Sequence, residues 1–120
     1  MIKSVKISGK EYKMQSSAYT QFAYKNETGR KLLDDLKDIT KLKDAEQDVL
    51  LSKYDDVVEI LLRIAYTMVK EFDNSQVSSF EDFLKSITDL FESTDWIGEV
   101  VELAQAPISG GNKGTSPQSK

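Results

Sequence analysis

The chain opens with alternating apolar and polar residues. A period of two is typical of a strand with one covered and one exposed face, and Gly9 permits a tight turn midway. The pattern predicts a β-hairpin over residues 2–14, with its turn at Ser8 to Lys10. An isolated hairpin is marginally stable in water, so it must pack on an apolar surface or pair with further strands. Its apolar residues are Ile2, Val5, Ile7, Tyr12 and Met14.

Helical spacing replaces the alternation after the hairpin. A first helix is predicted to begin after a serine cap, Ser16 or Ser17, and to end at Gly29. The charged stretch 42–47 is predicted to be a loop or the first turn of the next helix. The apolar residues assigned to the first helix are Ala18, Tyr19, Phe22 and Ala23. Those of a second helix are Leu32, Leu33, Leu36 and Ile39.

The strongest helical pattern spans residues 48–72. Its apolar stripe is broad, which predicts the central core helix, about 37 Å long at 1.5 Å per residue. A heptad coiled coil is the alternative, but a coiled coil needs only a narrow seam. The main row comprises Leu50, Tyr54, Val57, Leu61, Ile64, Met68 and Phe72. A second row comprises Leu51, Val58, Leu62, Ala65 and Val69.

Two shorter helical patterns follow. The first is capped by Ser79, with Asp82 in a capping-box-like position. The second is capped by Ser93 or Thr94 and ends at Pro107. Their apolar residues are Phe80, Phe83, Leu84, Ile87, Leu90 and Phe91, and then Trp96, Ile97, Val100, Val101, Leu103 and Ala104. The fold class is therefore predicted to be mainly α with a small N-terminal β-hairpin (α+β), forming a compact helical domain.

The domain is predicted to end near Ile108. No apolar residue occurs from Ser109 onwards, so residues 109–120 cannot repay the entropy of ordering and are predicted to form a flexible polar tail. Residues 1–108 then form a single globular domain, a common size for one folding unit. We find no apolar run of the ~20 residues that a membrane span needs, and no signal peptide. We therefore expect a cytosolic protein.

Composition excludes several kinds of active site. The 120 residues include no Cys and no His, which rules out a cysteine nucleophile, a Cys/His zinc site, a His-containing triad and a disulfide within the chain. The formal charge of −4 argues against nucleic-acid binding. The carboxylates of Asp34-Asp35 and Asp55-Asp56 are adjacent on helices and so do not face each other. We interpret them, like a Glu59–Arg63 ion pair, as solvated helix faces and assign no catalytic, cofactor-binding or metal-binding residue.

Charge is unevenly distributed along the chain. Residues 1–31 contain seven basic and two acidic residues, whereas residues 32–120 contain nine basic and eighteen acidic ones. The simplest interpretation is a solvated, lysine-bearing hairpin. The alternative is electrostatic steering of partners or neighbouring copies, in which the hairpin edge would mediate homo-oligomer formation.

Most aromatic residues lie at helical spacings that indicate core packing. The alternative is an apolar groove for a partner segment near the last two helices. Phe91 and Trp96 are the candidates for its edge, because they flank the break at residues 92–95 where a groove between helices could open.

Both ends of the domain resemble phage tail assembly chaperones. Residues 95–108 (DWIGEVVELAQAPI), which run into a polar tail, resemble the C-terminus of these proteins, and residues 5–14 (VKISGKEYKM) resemble their start. This family comprises small proteins of long-tailed phages and prophages of Gram-positive bacteria. The resemblance implies a short hairpin followed by helices and no enzymatic activity. With the acidic charge and the lack of a membrane span, we expect no cofactor, no nucleic-acid partner and no membrane partner.

The resemblance also implies a function. Such proteins bind the long tape measure protein, keep it soluble and recruit tail tube subunits, in many relatives through a longer form made by ribosomal frameshifting. They act in the host cytoplasm and are not expected in the mature virion. The alternative is a small non-enzymatic adaptor or regulatory protein of a mobile element that binds one folded partner.

Truncation after Ile108 should leave the domain folded, because the segment removed has no apolar residue to contribute to a core. We expect the free energy of unfolding to change by less than about 1 kcal/mol, as for surface substitutions. Thermal denaturation of the full and truncated chains checks this. A large drop in melting temperature would instead show that the tail docks on the domain.

Overall fold

A computed structural model describes residues 1–43, 54–89 and 95–108 of the protein. The elements, in chain order, are β1 (Ile2–Ile7), β2 (Lys10–Gln15), α1 (Ala18–Thr28), α2 (Leu32–Lys43), α3 (Tyr54–Phe72), α4 (Phe80–Ser86) and α5 (Asp95–Gln105). The predicted class, mainly helical with an N-terminal hairpin, is confirmed. The predicted tail lies outside the described residues, as do residues 44–53 and 90–94.

The hairpin pairs within the chain, in antiparallel register with Val5 opposite Tyr12. Ser8 and Gly9 form its two-residue turn at φ 55° and 81°, the left-handed conformations that a type I′ turn requires. The predicted alternation is confirmed for Val5, Ile7, Tyr12 and Met14, which are all buried. Ile2 is exposed, since it has the opposite parity to Val5 and Ile7.

The buried face of the hairpin packs on helices. β2 lies against α3, and β1 lies against α5. The turn is also fixed at the surface, because Ser8 Oγ lies 2.9 Å from Thr88 Oγ1 and accepts a hydrogen bond from the Asp89 N–H (2.8 Å). The packing on α3 and α5 supplies the apolar support that a two-stranded sheet needs, and the Ser8 hydrogen bonds fix the turn.

The α3 helix is the centre of the core, as its pattern predicts. It contacts β2 and all four other described helices. It ends at Phe72 as predicted, while the predicted start at residue 48 lies outside the described residues. The prediction of a loop or first turn from residue 42 is wrong for its first two residues, since α2 continues to Lys43. The fully buried residues of α3 include Leu61, Ile64, Ala65, Met68 and Val69.

An aromatic cluster joins the hairpin, α3 and α4. Tyr12 and Phe83 meet edge to face with ring centroids 5.2 Å apart, and Tyr66 lies 5.9 Å from Phe83. Tyr66 also contacts Phe80 edge to face at 5.5 Å. The Tyr12 hydroxyl hydrogen-bonds with that of Ser86, so its polar end is satisfied inside the protein.

The predicted helix caps are confirmed where they fall in the described residues. Ser17 caps α1 in a capping box with Thr20, and Gly29 ends this helix in the left-handed conformation at φ 74°. Ser79 caps α4, and its Oγ accepts a hydrogen bond from the Asp82 N–H (3.0 Å). The predicted cap at Ser93 or Thr94 lies outside the described residues.

The orientation of α1 differs from the prediction. Tyr19 and Phe22, assigned to an apolar face, are 59% and 61% exposed, whereas Thr20 and Tyr24 are buried. Hydrogen bonds explain the reversal, because hydroxyl groups can be buried when they have partners. The Thr20 hydroxyl donates to Glu71 at the end of α3 (2.6 Å).

Asp35 also differs from the prediction of a solvated helix face. Asp35 is only 1% exposed. Its carboxylate accepts hydrogen bonds from the Tyr24 hydroxyl (2.5 Å) and from two guanidinium nitrogens of Arg30 (2.7–3.1 Å). Burial opposes its charge, but the hydrogen bonds from Arg30 and Tyr24 and the charge of Arg30 prevail and lower the pKa of Asp35. Burial and the bond to Asp35 raise the pKa of Tyr24. This network joins α1 to α2.

Leu61→Ala should destabilise the protein by about 2–5 kcal/mol, because it opens a cavity in the buried stripe of α3. Glu59→Ala on the same helix is the control and should cost about 0.2–0.5 kcal/mol, the usual value of an i,i+4 ion pair. Urea unfolding measures both. A loss below about 0.5 kcal/mol for Leu61→Ala would contradict a core role for this position.

Asp35→Asn should lower the free energy of unfolding at neutral pH by about 1–3 kcal/mol, because it removes a charged hydrogen-bond acceptor from a buried site. The folded-state pKa of Asp35 lies below its unfolded value, so the stabilisation is present above about pH 4 and is lost as the pH falls through the folded pKa. Urea unfolding at several pH values should therefore show the gap between wild type and variant narrowing in acid. Asp34→Asn is the control, because Asp34 is the exposed neighbour. Its free energy of unfolding should stay close to that of wild type at neutral pH.

Candidate partner-binding surface

A groove runs between α1 and α3 at the protein surface. It consists of two neighbouring depressions of about 580 and 360 Å³, both of which Glu27 lines. Ile60 and Arg63 line the larger depression, and Tyr19 and Tyr66 line the smaller one. We call this feature the α1–α3 groove. It is open and shallow enough to accept a side chain or a helix face of a partner.

Two aromatic residues of α1 extend the apolar part of this surface. Tyr19 lines the groove, and Phe22 follows it one turn later, so their side chains lie on neighbouring parts of the same helix face. More than half of each residue is exposed. Single exposed apolar residues are common, but an adjacent aromatic pair beside a groove is typical of contact surfaces. We call Tyr19 and Phe22 the α1 aromatic pair.

The N-terminus of α1 is held in place by one carboxylate. Glu71 of α3 accepts hydrogen bonds from the hydroxyls of Ser17 and Thr20, both at 2.6 Å. The Thr20 hydroxyl in turn accepts from the Ser17 N–H (2.8 Å). A negative charge at this helix end also complements the helix dipole.

The other end of α1 is held by the Asp35 network. Tyr24 donates to Asp35 from within the helix, and Arg30 joins the same carboxylate from just beyond Gly29. The hydrogen bonds to Asp35 and the negative charge of that carboxylate raise the pKa of Arg30, so the guanidinium stays protonated. Because both ends of α1 are fixed by their polar face, the α1 aromatic pair is held pointing towards solvent.

Charges of both signs surround the groove, and several of them are already engaged. Arg63 pairs with Glu59 at 3.1 Å, as predicted, and its guanidinium lies 4.4 Å from the centre of the Phe80 ring. Lys70 lies 5.3 Å from the centre of the Tyr66 ring. Such cation–π contacts keep the basic side chains along the aromatic surface. The groove therefore offers apolar and hydrogen-bonding contacts and no field of a single sign.

The perturbed ionisable groups have local structural causes. The pKa shifts of Asp35, Tyr24 and Arg30 arise from burial and from their mutual contacts. The pKa of Asp73 is lowered by hydrogen bonds from the hydroxyl and N–H of Ser75. Across residues 1–43, 54–89 and 95–108, no group of three or more acidic side chains is placed to hold a metal ion. None of the helices in these ranges is long and apolar enough to cross a membrane.

Of the two residues predicted to line a groove near the last helices, the structure describes only Trp96. Trp96 is only 1% exposed and packs within the core, so it does not line an open groove in this structure. The physical reason is that α5 turns its apolar stripe, including Val100 and Leu103, towards α3 and β1. Phe91 lies outside the described residues.

Sequence reasoning missed the α1 aromatic pair, although one signal was present. Hydroxyl-bearing residues recur along α1 at helical spacing, at Ser17, Thr20, Tyr24 and Thr28. A stripe of this kind can be the buried face when acceptors meet it, and the acceptors here are Glu71 and Asp35. The surface is identified from its own geometry and chemistry, since no family model, curated protein or solved structure matches the chain.

Proposed function

We propose that this protein is a tail assembly chaperone of long-tailed phages, which binds helical segments of the tape measure protein and keeps that protein soluble. The observation that carries the proposal is the α1 aromatic pair, exposed beside the α1–α3 groove on a helix held at both ends. The resemblance of residues 5–14 and 95–108 to such chaperones supplies the class of client. Recruitment of tail tube subunits, through this chain or a longer form of it, is part of the same proposal.

The chemistry of the surface suits an apolar helical client. Such a client presents apolar residues three and four positions apart, about 5–6 Å from one another, and Tyr19 and Phe22 have this spacing on α1. Aromatic side chains supply a large contact area with few rotatable bonds. The charged groups around the groove keep the rest of the surface hydrated.

A rigid binding surface also reduces the cost of association. The hydrogen bonds from Ser17 and Thr20 to Glu71, and from Tyr24 to Asp35, fix α1 before a client arrives. Preorganisation of this kind improves affinity because less conformational freedom is lost on binding. The proposed client is held by many weak contacts along its length, with one chaperone copy for each segment.

The test is co-expression with an aggregation-prone, tape-measure-like helical chain. Wild type should keep that chain in the soluble fraction, and the double variant Tyr19→Ser, Phe22→Ser should leave most of it in the pellet. Both positions are exposed, so each change should alter the free energy of unfolding by no more than about 0.5 kcal/mol. Thermal denaturation of the purified variant confirms that it is folded.

Leu84→Ser is the matched control, because Leu84 is an exposed apolar residue on α4. It should solubilise the client as well as wild type does. Soluble client with the double variant would contradict the role of the α1 aromatic pair. If wild type leaves every such client insoluble but binds one folded partner at one-to-one stoichiometry, the protein is an adaptor and not a chaperone.

A further inference from the structure

The contacts of Gln76 reveal which backbone groups of the hairpin face outwards. The Gln76 side-chain amide donates to the carbonyl of Lys13 (3.0 Å), and its oxygen accepts from the Lys13 N–H (3.3 Å). In an antiparallel pair, both polar groups of a residue point to the same side, and the side alternates along each strand. The backbone N–H and C=O of Lys13 point away from β1, so the backbone groups of Glu11 and Gln15, two residues to either side, do the same.

The register of the two strands shows which backbone groups of β1 also point outwards. Ser4 lies opposite Lys13, so the pair they form does not exchange ladder hydrogen bonds. The N–H and C=O groups of Ile2, Ser4 and Lys6 therefore point to the outer edge of β1. The Ser16 N–H agrees with this parity, since it points towards β1 and donates to the Met1 carbonyl (2.8 Å).

The two edges of the hairpin are not equivalent. At the centre of the β2 edge, Gln76 takes the place of a neighbouring strand, and it also donates to the Val69 carbonyl of α3 (3.1 Å). At the β1 edge, Ile2, Ser4 and Lys6 are exposed. Across the three described ranges, the outward N–H and C=O groups of these residues have no hydrogen-bond partner. The described helices pack on the buried face of the hairpin, and within residues 1–43, 54–89 and 95–108 no strand pairs with this edge.

The charge of the hairpin selects among the segments that could pair with β1. Exposed lysines occur at positions 3, 6, 10 and 13, and Glu11 and Glu99 offset part of their charge, the latter through an ion pair with Lys3 (3.5 Å). A second copy of β1 would bring two more lysines to the same ribbon, and like charges on neighbouring strands repel. An acidic strand would instead place carboxylates beside Lys6, on the face of β1 that points away from the core, whereas Lys3 lies on the opposite face and is paired with Glu99.

We propose that the β1 edge binds an extended, acidic segment of a partner protein as a third strand of the sheet. The backbone groups of Ile2, Ser4 and Lys6 supply the hydrogen bonds, and the side chain of Lys6 selects for carboxylates on the face of the added strand that points away from the core. This surface is separate from the α1–α3 groove, so the proposal does not depend on the one made above. It replaces pairing between copies as the use of the hairpin edge.

The probe is a fluorescein-labelled peptide in which glutamate alternates with valine, as long as the six residues of β1. Fluorescence anisotropy should show binding at low salt and weaker binding at about 1 M salt, where charges are screened within about 3 Å. A peptide with lysine in place of glutamate should not bind. Absence of binding by the acidic peptide at low salt would overturn the proposal and leave the edge lysines as protection against aggregation.

Two proline variants test the edge itself. Ser4→Pro removes an outward N–H without touching the ladder and should weaken binding by about tenfold, the usual effect of losing a backbone hydrogen bond and the strand fit. Glu11→Pro makes the same change on the β2 edge and should bind at least as well as wild type. Equal loss in both variants, or no loss in Ser4→Pro, would overturn the proposal.

Amide hydrogen exchange of the wild type provides a readout that does not depend on the folding of any variant. Added acidic peptide should slow exchange at the amides of Ser4 and Lys6, while Val5, already in the ladder, should change little. If the amides of Ser4 and Lys6 are protected without peptide, and this protection increases with protein concentration, a second copy occupies the edge instead.

Discussion

Burial of the apolar stripe of α3 is the interaction on which the other elements depend. The helix touches β2 and each of the other described helices, and Leu61, Ile64 and Met68 lie at its buried centre. Burying a side chain of this size contributes about 1.5–3 kcal/mol. The hairpin could not persist alone, so its strands are stable because α3 and α5 cover their apolar face. The aromatic cluster of Tyr12, Tyr66, Phe80 and Phe83 continues the same core towards α4.

Hydrophobic burial is non-directional, and a second kind of interaction sets the orientation of α1. Glu71 and Asp35 accept hydrogen bonds at its two ends, so the helix turns its hydroxyl-bearing face inwards. The aromatic pair is thereby placed in solvent. Exposing two aromatic side chains to water is unfavourable, yet the hydrogen bonds on the opposite face of α1 make this exposure a fixed feature of the fold. Such a fixed apolar surface is suited to contact with an apolar partner.

The two proposed binding surfaces differ in chemistry and in position. The α1–α3 groove offers aromatic rings and mixed charges, whereas the β1 edge offers backbone hydrogen bonds and lysines. Two surfaces that recognise different chemistry can bind different partners without competition between them. Gln76 contributes to this division by bonding to both backbone groups of Lys13 at the centre of the β2 edge.

Much of the fold follows from local patterns in the sequence. Alternation predicts the hairpin, the broad stripe predicts α3, and Ser17, Gly29 and Ser79 mark helix ends, because strand period, helix period and caps depend on neighbouring residues. The exclusion of histidine- and cysteine-based chemistry follows from composition alone. The candidate site does not follow in this way. The sequence places Tyr19 and Phe22 on a helix, but their exposure depends on acceptors elsewhere in the chain.

Tertiary structure decided the features that depend on distant partners. Thr20 meets Glu71 across 51 positions, and Lys13 meets Gln76 across 63. These contacts determine which face of α1 is buried and which edge of the hairpin is open. The packing of α5 on α3 and β1 buries Trp96, and the bonds from Tyr24 and Arg30 hold Asp35 as a charged group inside the protein. Periodicity thus determined the helices and strands, whereas only the packed structure determined which of their polar and apolar faces meet, because burial depends on hydrogen-bond partners that no local pattern contains.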